Sequence, residues 1–195
     1  MEQRKERPIL FSGAMVRAIL DGRKTQTRRV AKLTFWPRES DVLLCPFGRP
    51  GDRLWVRENG WERPERTPKM MRDGADTWAP YYFDADGYSE QDKADFKAWG
   101  FKRRPSIHMP RTASRITLEI TAVRVERLND CSEEDARAEG ITDGGCTQCG
   151  NPEPCGCQNP SHDARESYVH LWEQINGAGS WHANPWVWVV EFKRL

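Results

Sequence analysis

The residues 115–128 carry the clearest β-strand pattern of this chain. Apolar residues alternate at Ile116, Leu118 and Ile120, and the alternation then resumes at Val123, one position out of phase. Because side chains in a strand alternate between its two faces, such a slip predicts a bulge or a sharp bend. Barrels require bends of this kind, so the pattern favours a small, strongly curved sheet.

A second β pattern covers residues 185–192 near the C-terminus. Trp186 and Trp188 fall on one face of this strand, and Val187 and Val189 fall on the other. Because both faces are largely apolar, we expect this strand to lie in the middle of a sheet.

Helical patterns separate and flank the predicted strands. Residues 163–176 carry an apolar stripe at helical spacing, formed by Ala164, Tyr168, Leu171, Trp172 and Ile175. Ser12 is positioned as the N-cap of an earlier helix that Gly22 ends, and Ser132 with Asp135 forms a capping-box pair before a short helix. Helices and strands in this arrangement predict an α+β fold.

The composition indicates one domain, residues 1–195, with a compact core. Apolar residues make up 37% of the chain and charged residues 30%, and nine Trp supply much of the apolar volume. No run approaches the roughly 20 apolar residues that a membrane span needs, and the N-terminus has no apolar signal core. We therefore expect a cytoplasmic protein with no membrane contact.

Charge is distributed unevenly although the net charge is only +1. Residues 1–38 hold ten Lys or Arg and three Asp or Glu, whereas residues 129–175 hold two and ten. The basic N-terminal part predicts a face for anionic ligands such as nucleotides. Alternatively, the acidic tract neutralises that face within the same chain.

The basic part includes the string Gly22-Arg23-Lys24-Thr25-Gln26-Thr27-Arg28-Arg29. One interpretation is a solvated basic turn, and the other is a contact site for an anion or nucleotide. The spacing of Gly22, Lys24, Thr27 and Arg29 resembles the G-x-K-x-x-E-x-R signature of the ASCH domain, with Thr27 in place of Glu. The ASCH domain is a β-barrel relative of the PUA RNA-binding fold. The resemblance implies a PUA-like small β-barrel with flanking helices and inserted loops.

The chain also resembles, almost end to end, uncharacterised phage and prophage proteins of this superfamily. The shared sequence motifs are at residues 8–11, 51–58 and 184–189 of this chain. One small branch of the superfamily, the bacterial N4-acetylcytidine amidohydrolases, also has Thr at the position of Thr27. There, a Lys, this Thr and a later Glu in a short helix form the catalytic group. The best match for that Glu is Glu139.

The resemblance therefore implies that Lys24, Thr27 and Glu139 are catalytic and that the substrate is a nucleoside or single-stranded RNA. Thr27 would be the nucleophile, and a neutral Lys24 would be its base. Burial and nearby cations would lower the pKa of Lys24, whereas Glu139 would raise it, and the sequence leaves this conflict open. Arg29 or Arg57 could hold the oxyanion or a phosphate, and Arg28 is a further candidate for binding substrate.

Three other functions fit the same residues. The protein could be a binding module for RNA or a modified nucleotide, in which Lys24, Arg28 and Arg29 contact phosphates and a Trp stacks on a base. It could cleave RNA with the help of a metal, as some ASCH proteins are reported to do, or serve in phage assembly. The oligomeric state is not indicated by any pattern.

The residues 53–58 alternate as a strand after the Gly51-Asp52 turn. Trp55 and Arg57 share the face opposite to that of Leu54. They bind substrate if this face lines a cleft, and they form a solvated outer face if it does not.

The residues 61–104 show no sustained periodicity but contain nine of the chain's aromatic residues. We expect an insertion packed over the barrel, with a lid as one role and a short helix near residues 92–99. A second basic string follows at 102–111, where His108 either binds phosphate or is structural.

A loop at about 143–162 contains Cys146, Cys149, Cys155 and Cys157. Four thiols at this spacing predict a structural zinc site resembling a zinc knuckle, since four protein ligands leave no open position. His162 is an alternative ligand, and four free thiols are the alternative to a metal. The remaining cysteines, Cys45 and Cys131, are predicted to be buried.

Overall fold

The structure is a computed structural model that describes residues 4–33, 39–63, 65, 72, 79–142 and 163–195, with the backbone alone for 39–41. Its strands are β1 (Glu6–Leu10), β2 (Gln26–Val30), β3 (Arg53–Arg57), β4 (Gly60–Glu62), β5 (Tyr81–Phe83), β6 (Lys102–Arg104), β7 (Thr117–Arg127) and β8 (Trp186–Arg194). Its helices are α1 (Gly13–Leu20), α2 (Glu90–Ala98), α3 (Glu133–Ala138) and α4 (Ala164–Asn176). The predicted α+β class is confirmed.

The larger sheet has the strand order β1-β3-β7-β8-β2. β8 lies between β7 and β2 and is antiparallel to both, which confirms the prediction of a central strand. β1 and β2 are the two edges, and in the described residues they do not pair with each other. Because a barrel closes only when its edge strands pair, these strands do not form the closed barrel that the resemblance implies.

The phase slip in the longest strand, β7, is a bulge. Ile120 pairs with Phe192 and Ala122 pairs with the preceding residue of β8, Glu191, so Thr121 is the extra residue. The slip in the apolar alternation therefore marked a real irregularity, as predicted.

The chain packs as two compact units. The first unit comprises Met1–Arg7, Ala18–Leu54 and Leu118–Leu195, and the second comprises Pro8–Arg17 and Trp55–Thr117. The core of the first unit joins Val187 and Val189 of β8 to α3, α4 and neighbouring residues; its other members are Leu128, Cys131, Ala136, Ala164, Tyr168, Trp172 and Trp181.

The caps of the first unit's helices agree with the sequence. The Ser132 side chain accepts from the backbone N–H of Asp135, and the Asp135 carboxylate accepts from the backbone N–H of Ser132. The Asp163 side chain caps α4, which ends before Gly177. Such caps stabilise a helix by about 1 kcal/mol each. In the part of the chain that the structure describes, no helix is long and apolar enough to cross a membrane.

The second unit contains a three-stranded sheet in the order β5-β4-β6. The rings of Trp61, Phe96 and Phe101 are buried beside it, and Tyr82 stacks on Phe96 with ring centroids 4.9 Å apart. These strands lie in the stretch for which the sequence predicted no regular strand. Each has only three residues, too few for an alternating pattern to emerge. The predicted short helix is present as α2.

Candidate functional site

The basic string lies in the first unit, where it runs from the end of α1 into β2. Gly22 adopts a left-handed φ of +77°, which turns the chain out of α1 as predicted. Lys24 then forms an isolated antiparallel bridge with Glu139, and the backbone N–H of Thr25 donates to the carbonyl of Ala138 at 2.8 Å. The start of β2 and the end of α3 are therefore joined through their backbones.

Gly140 allows the two segments to approach closely. Its φ is +94°, and a Cβ at this position would lie 2.8 Å from the Cβ of Ala18 and 3.1 Å from that of Lys24. A side chain here would therefore be strained by its backbone and would collide with both neighbours.

The structure brings Lys24 and Glu139 together, although 115 residues separate them. The Lys24 Nζ donates to the Glu139 Oε2 at 2.7 Å and to the Glu139 backbone carbonyl at 2.9 Å. Only 2% of Lys24 and 4% of Glu139 is exposed. Charged residues are almost never buried this deeply unless they are paired, and a buried, perturbed ionisable group is a candidate for a functional site.

The structure also decides the direction of the Lys24 pKa. Burial lowers the pKa of the amine below its ordinary 10.5, and this outweighs the Glu139 carboxylate, which raises it. Arg29 and Arg28 lower the pKa further through their charges. The conflict that the sequence left open is thus settled in favour of a lowered pKa.

Arg28 lies in the same buried cluster. Its Nη1 donates to the Glu139 Oε1 at 3.4 Å, and its Nη2 lies 2.6 Å from the Glu126 Oε1 and 3.0 Å from the Asp135 Oδ2. The residue is 1% exposed. Arg28 was predicted to bind substrate; in the structure its guanidinium is paired with three carboxylates.

Thr27 and Arg29 leave β2 on the face opposite to that of Arg28, because side chains alternate along a strand. Thr27 is fully buried, and the Arg29 Nη1 donates to its Oγ1 at 2.6 Å. The charge of Arg29 also acts on Lys24, and Glu139 acts on Arg29. Arg29 therefore contacts Thr27 directly and acts on the Lys24–Glu139 pair through its charge.

The other two candidates for substrate binding belong to the second unit. Trp55 is 8% exposed, and the guanidinium carbon of Arg57 lies 4.7 Å from its ring centroid. Arg111 approaches the same ring to 5.9 Å, and the Arg57 Nη1 donates to the carbonyl of Ile107 at 3.2 Å. The second unit thus contains an aromatic ring with two cations against it. His108 is exposed.

An open cleft of about 460 Å³ lies on the surface of the first unit. It is lined by Thr25, Gln26, Thr121, Ser132, Glu134, Asp135, Ala138, Glu191 and Phe192. Thr25 and Ala138 are the chain neighbours of the buried pair, but Lys24, Thr27 and Glu139 are not among the lining residues that the structure describes. The cleft therefore lies beside the candidate catalytic residues without exposing them.

The predicted zinc ligands Cys146, Cys149, Cys155 and Cys157, and the alternative ligand His162, lie outside the described residues. Within those residues, no group of His, Cys, Asp and Glu side chains could hold a metal ion. Cys45 and Cys131 are buried free thiols, as predicted.

Sequence reasoning missed Glu126, Asp135 and Gln26 as members of the site. Asp135 was assigned only as a helix cap, yet it also accepts from the Gln26 Nε2 at 3.0 Å. Glu126 lies 98 residues from Arg28, and no local pattern pointed to their contact. Alternation within β2 was the one available signal, because it places Gln26 and Arg28 on one face.

Comparisons of the chain with family models, with curated proteins and with solved structures found no match. The geometry of the site is therefore the basis for a functional proposal.

Proposed function

We propose that this protein is a PUA-like, ASCH-type amidohydrolase that removes the acyl group from an N4-acylated cytidine, with Lys24, Thr27 and Glu139 as its catalytic residues. The observation that carries the proposal is the buried contact between Lys24 and Glu139, in which burial lowers the pKa of the lysine. A lowered pKa brings a buried amine closer to the neutral form that a general base requires.

In this mechanism, Lys24 takes the proton of the Thr27 hydroxyl, and the Thr27 oxygen attacks the acyl carbonyl carbon. The hydrogen bond from Arg29 stabilises the negative charge on the attacking oxygen. The C–N4 bond then breaks, N4 receives the proton through Lys24 and Glu139, and cytidine leaves. Water hydrolyses the Thr27 ester to release the carboxylic acid, and the hydroxyl of Thr27 is restored.

All three catalytic side chains are buried. The proposal therefore requires that substrate binding opens the site.

The test is the release of acetate from N4-acetylcytidine by the purified protein. Thr27→Ala and Lys24→Ala should each abolish release while the far-ultraviolet circular dichroism stays that of the wild type. Thr25→Ala is the matched control, because Thr25 is an exposed Thr two residues away, and it should retain full activity. Undiminished turnover in either catalytic variant would refute the mechanism. No turnover by the wild type would refute the deacylation of this substrate.

A second candidate function is supported by the second unit. Arg57 and Arg111 lie against the ring of Trp55, which is itself only 8% exposed, and these two cations would bind the phosphates of single-stranded RNA or a modified nucleotide. This binding function requires no catalysis. Its test is the affinity for a short RNA as a function of salt, which should fall as salt rises and should be unaffected by Thr27→Ala. An affinity that does not change with salt would contradict it.

We also propose a structural zinc ion on Cys146, Cys149, Cys155 and Cys157. The support is the spacing of four thiols within twelve residues of the sequence. Such an ion would hold the loop together and would take no part in the deacylation.

A further inference from the structure

Among the described residues of the first unit, Arg28 and Lys24 are the most completely buried cations, at 1% and 2% exposed. The side chain of Arg28 has no exposed surface, although its guanidinium reaches three carboxylates. Glu126 and Asp135 hold one nitrogen, Nη2, at 2.6 and 3.0 Å, and the other, Nη1, faces the Glu139 Oε1 at 3.4 Å. Lys24 takes the second oxygen of that carboxylate, Oε2. The Glu139 carboxylate is therefore held from two sides.

We infer that Arg28 is a positioning residue: it fixes the Glu139 carboxylate against the Lys24 amine and does not bind substrate. The catalytic meaning of this role rests on the proposed function, whereas the role itself does not. A phosphate could reach Arg28 only by displacing a carboxylate from a buried guanidinium, and uncompensated buried carboxylates are strongly unfavourable.

The planar fork of an arginine suits this task. Two nitrogens in a fixed geometry can hold Glu126 and Glu139 at the same time, whereas a lysine ammonium is a single point charge. The anchors are themselves held, because Arg124 donates to Glu126 at 2.8 Å and to Asp135 at 2.8 Å. The guanidinium of Arg28 therefore fixes the Glu139 carboxylate relative to β7 and α3.

Several charged or titratable groups act on the Lys24–Glu139 pair. Arg28 and Arg29 on β2 act on Lys24, and Tyr168 on α4 interacts with Glu139. Glu126 on β7 and Asp135 on α3 act on Arg28. Burial raises the pKa of Tyr168 well above 10, so its hydroxyl stays neutral. Burial likewise raises the pKa of the nearby Cys131 thiol to about 12. Across the neutral range, the cations and carboxylates therefore decide how tightly Lys24 holds its proton.

Loss of Arg28 changes that balance in one direction. It removes a positive charge that disfavours protonated Lys24, and it leaves the full charge of Glu139 to favour it. Arg28→Met should therefore raise the titration midpoint of Lys24 by about one pH unit. Arg28→Lys keeps the positive charge but loses the fork that fixes Glu139 against the amine, so the Lys24 midpoint should fall by about half a pH unit.

The measurement is an NMR pH titration of protein labelled with ¹³C-lysine, in which the Lys24 signal is assigned by its loss in Lys24→Arg. Arg124→Met and Arg124→Lys are the matched controls, because Arg124 pairs with Glu126 and Asp135 but has no contact with Glu139 among its ion pairs. Both controls should leave the Lys24 midpoint within about 0.3 units of the wild type.

If Arg28→Met does not fold, the inference is tested by comparing the Lys24 midpoint of Arg28→Lys with that of Arg124→Lys. Equal Lys24 midpoints in the Arg28 and Arg124 variants would overturn the inference. The pH profile of acetate release supplies the second readout. Its low-pH limb reports the deprotonation of the general base Lys24, so this limb should move to higher pH in Arg28→Met. A midpoint shift in a protein whose wild type releases no acetate would support the positioning role and refute the proposed function.

Discussion

Replacement of Glu139 by Gln should test the buried pair most directly. Gln retains the size of the side chain but removes the charge that faces the Lys24 amine at 2.7 Å. Breaking a buried ion pair from one side costs about 3–5 kcal/mol, because the remaining charge has lost its compensation. For a chain of this size, that loss corresponds to a fall of roughly 6–20 °C in Tm.

The pH dependence of this loss gives the sharper test. Glu139 raises the pKa of Lys24, so its removal lowers a pKa that burial already lowers. Unfolded lysine titrates near pH 10.5. Between the folded and unfolded values, the unfolded chain holds a proton that the folded protein lacks, so stability rises with pH. The loss in Glu139→Gln should therefore shrink by up to about 1.4 kcal/mol for each pH unit between the Lys24 pKa of the folded variant and that of the folded wild type.

The assay is urea unfolding from pH 6 to 9, followed by tryptophan fluorescence and circular dichroism. Glu134→Gln is the matched control, because Glu134 is an exposed carboxylate in the same helix, α3, and should change the free energy of unfolding by less than about 0.5 kcal/mol. Lys24→Met combined with Glu139→Gln should recover stability relative to Glu139→Gln alone, since the buried amine is then gone. A loss below about 1 kcal/mol that is flat with pH would refute the reasoning.

Three further outcomes are expected. Gly140→Ala should destabilise the protein by about 2–4 kcal/mol, because the new Cβ adds a steric clash to the backbone strain. Gly22→Ala has nothing within 4 Å of its Cβ, so it should lower the free energy of unfolding by only about 1 kcal/mol. Urea unfolding compares the two variants, and equal losses would exclude the clash. Burial by itself would raise the pKa of Asp135, but hydrogen bonds from Gln26 and Ser132 and the charge of Arg28 lower it. The stability that Asp135 contributes should therefore be present above pH about 3.8 and be lost on further acidification. Asp135→Asn should flatten the fall in the free energy of unfolding between pH 6 and pH 2, and an unchanged fall would contradict this. Elemental analysis should find about one zinc per chain, and its removal by a chelator should expose four thiols to a thiol reagent; reactive thiols in metal-free protein as purified would exclude the site.

Local patterns in the sequence were enough for several elements of the fold. Each of three features is encoded by residues that lie close together in the sequence: the capping pair of Ser132 and Asp135, the apolar stripe of α4 and the bulge at Thr121. Interactions over such short distances depend on the chain's own geometry, so they can be recognised without a tertiary structure. Strands of three residues, such as β4 to β6, are too short to be recognised in this way.

The resemblance pointed to Lys24 and Glu139 as partners, but only the tertiary structure shows the contact. It also shows the three carboxylates around Arg28, two of which lie 98 and 111 residues away along the chain. The direction of the Lys24 pKa likewise depends on burial against opposing charges, and burial is produced by the packing of β2 and α3. The sequence by itself therefore determined which local elements form and which residues carry charge. Packing decided which charges lose their water and meet, because desolvation depends on parts of the chain that are far apart in sequence.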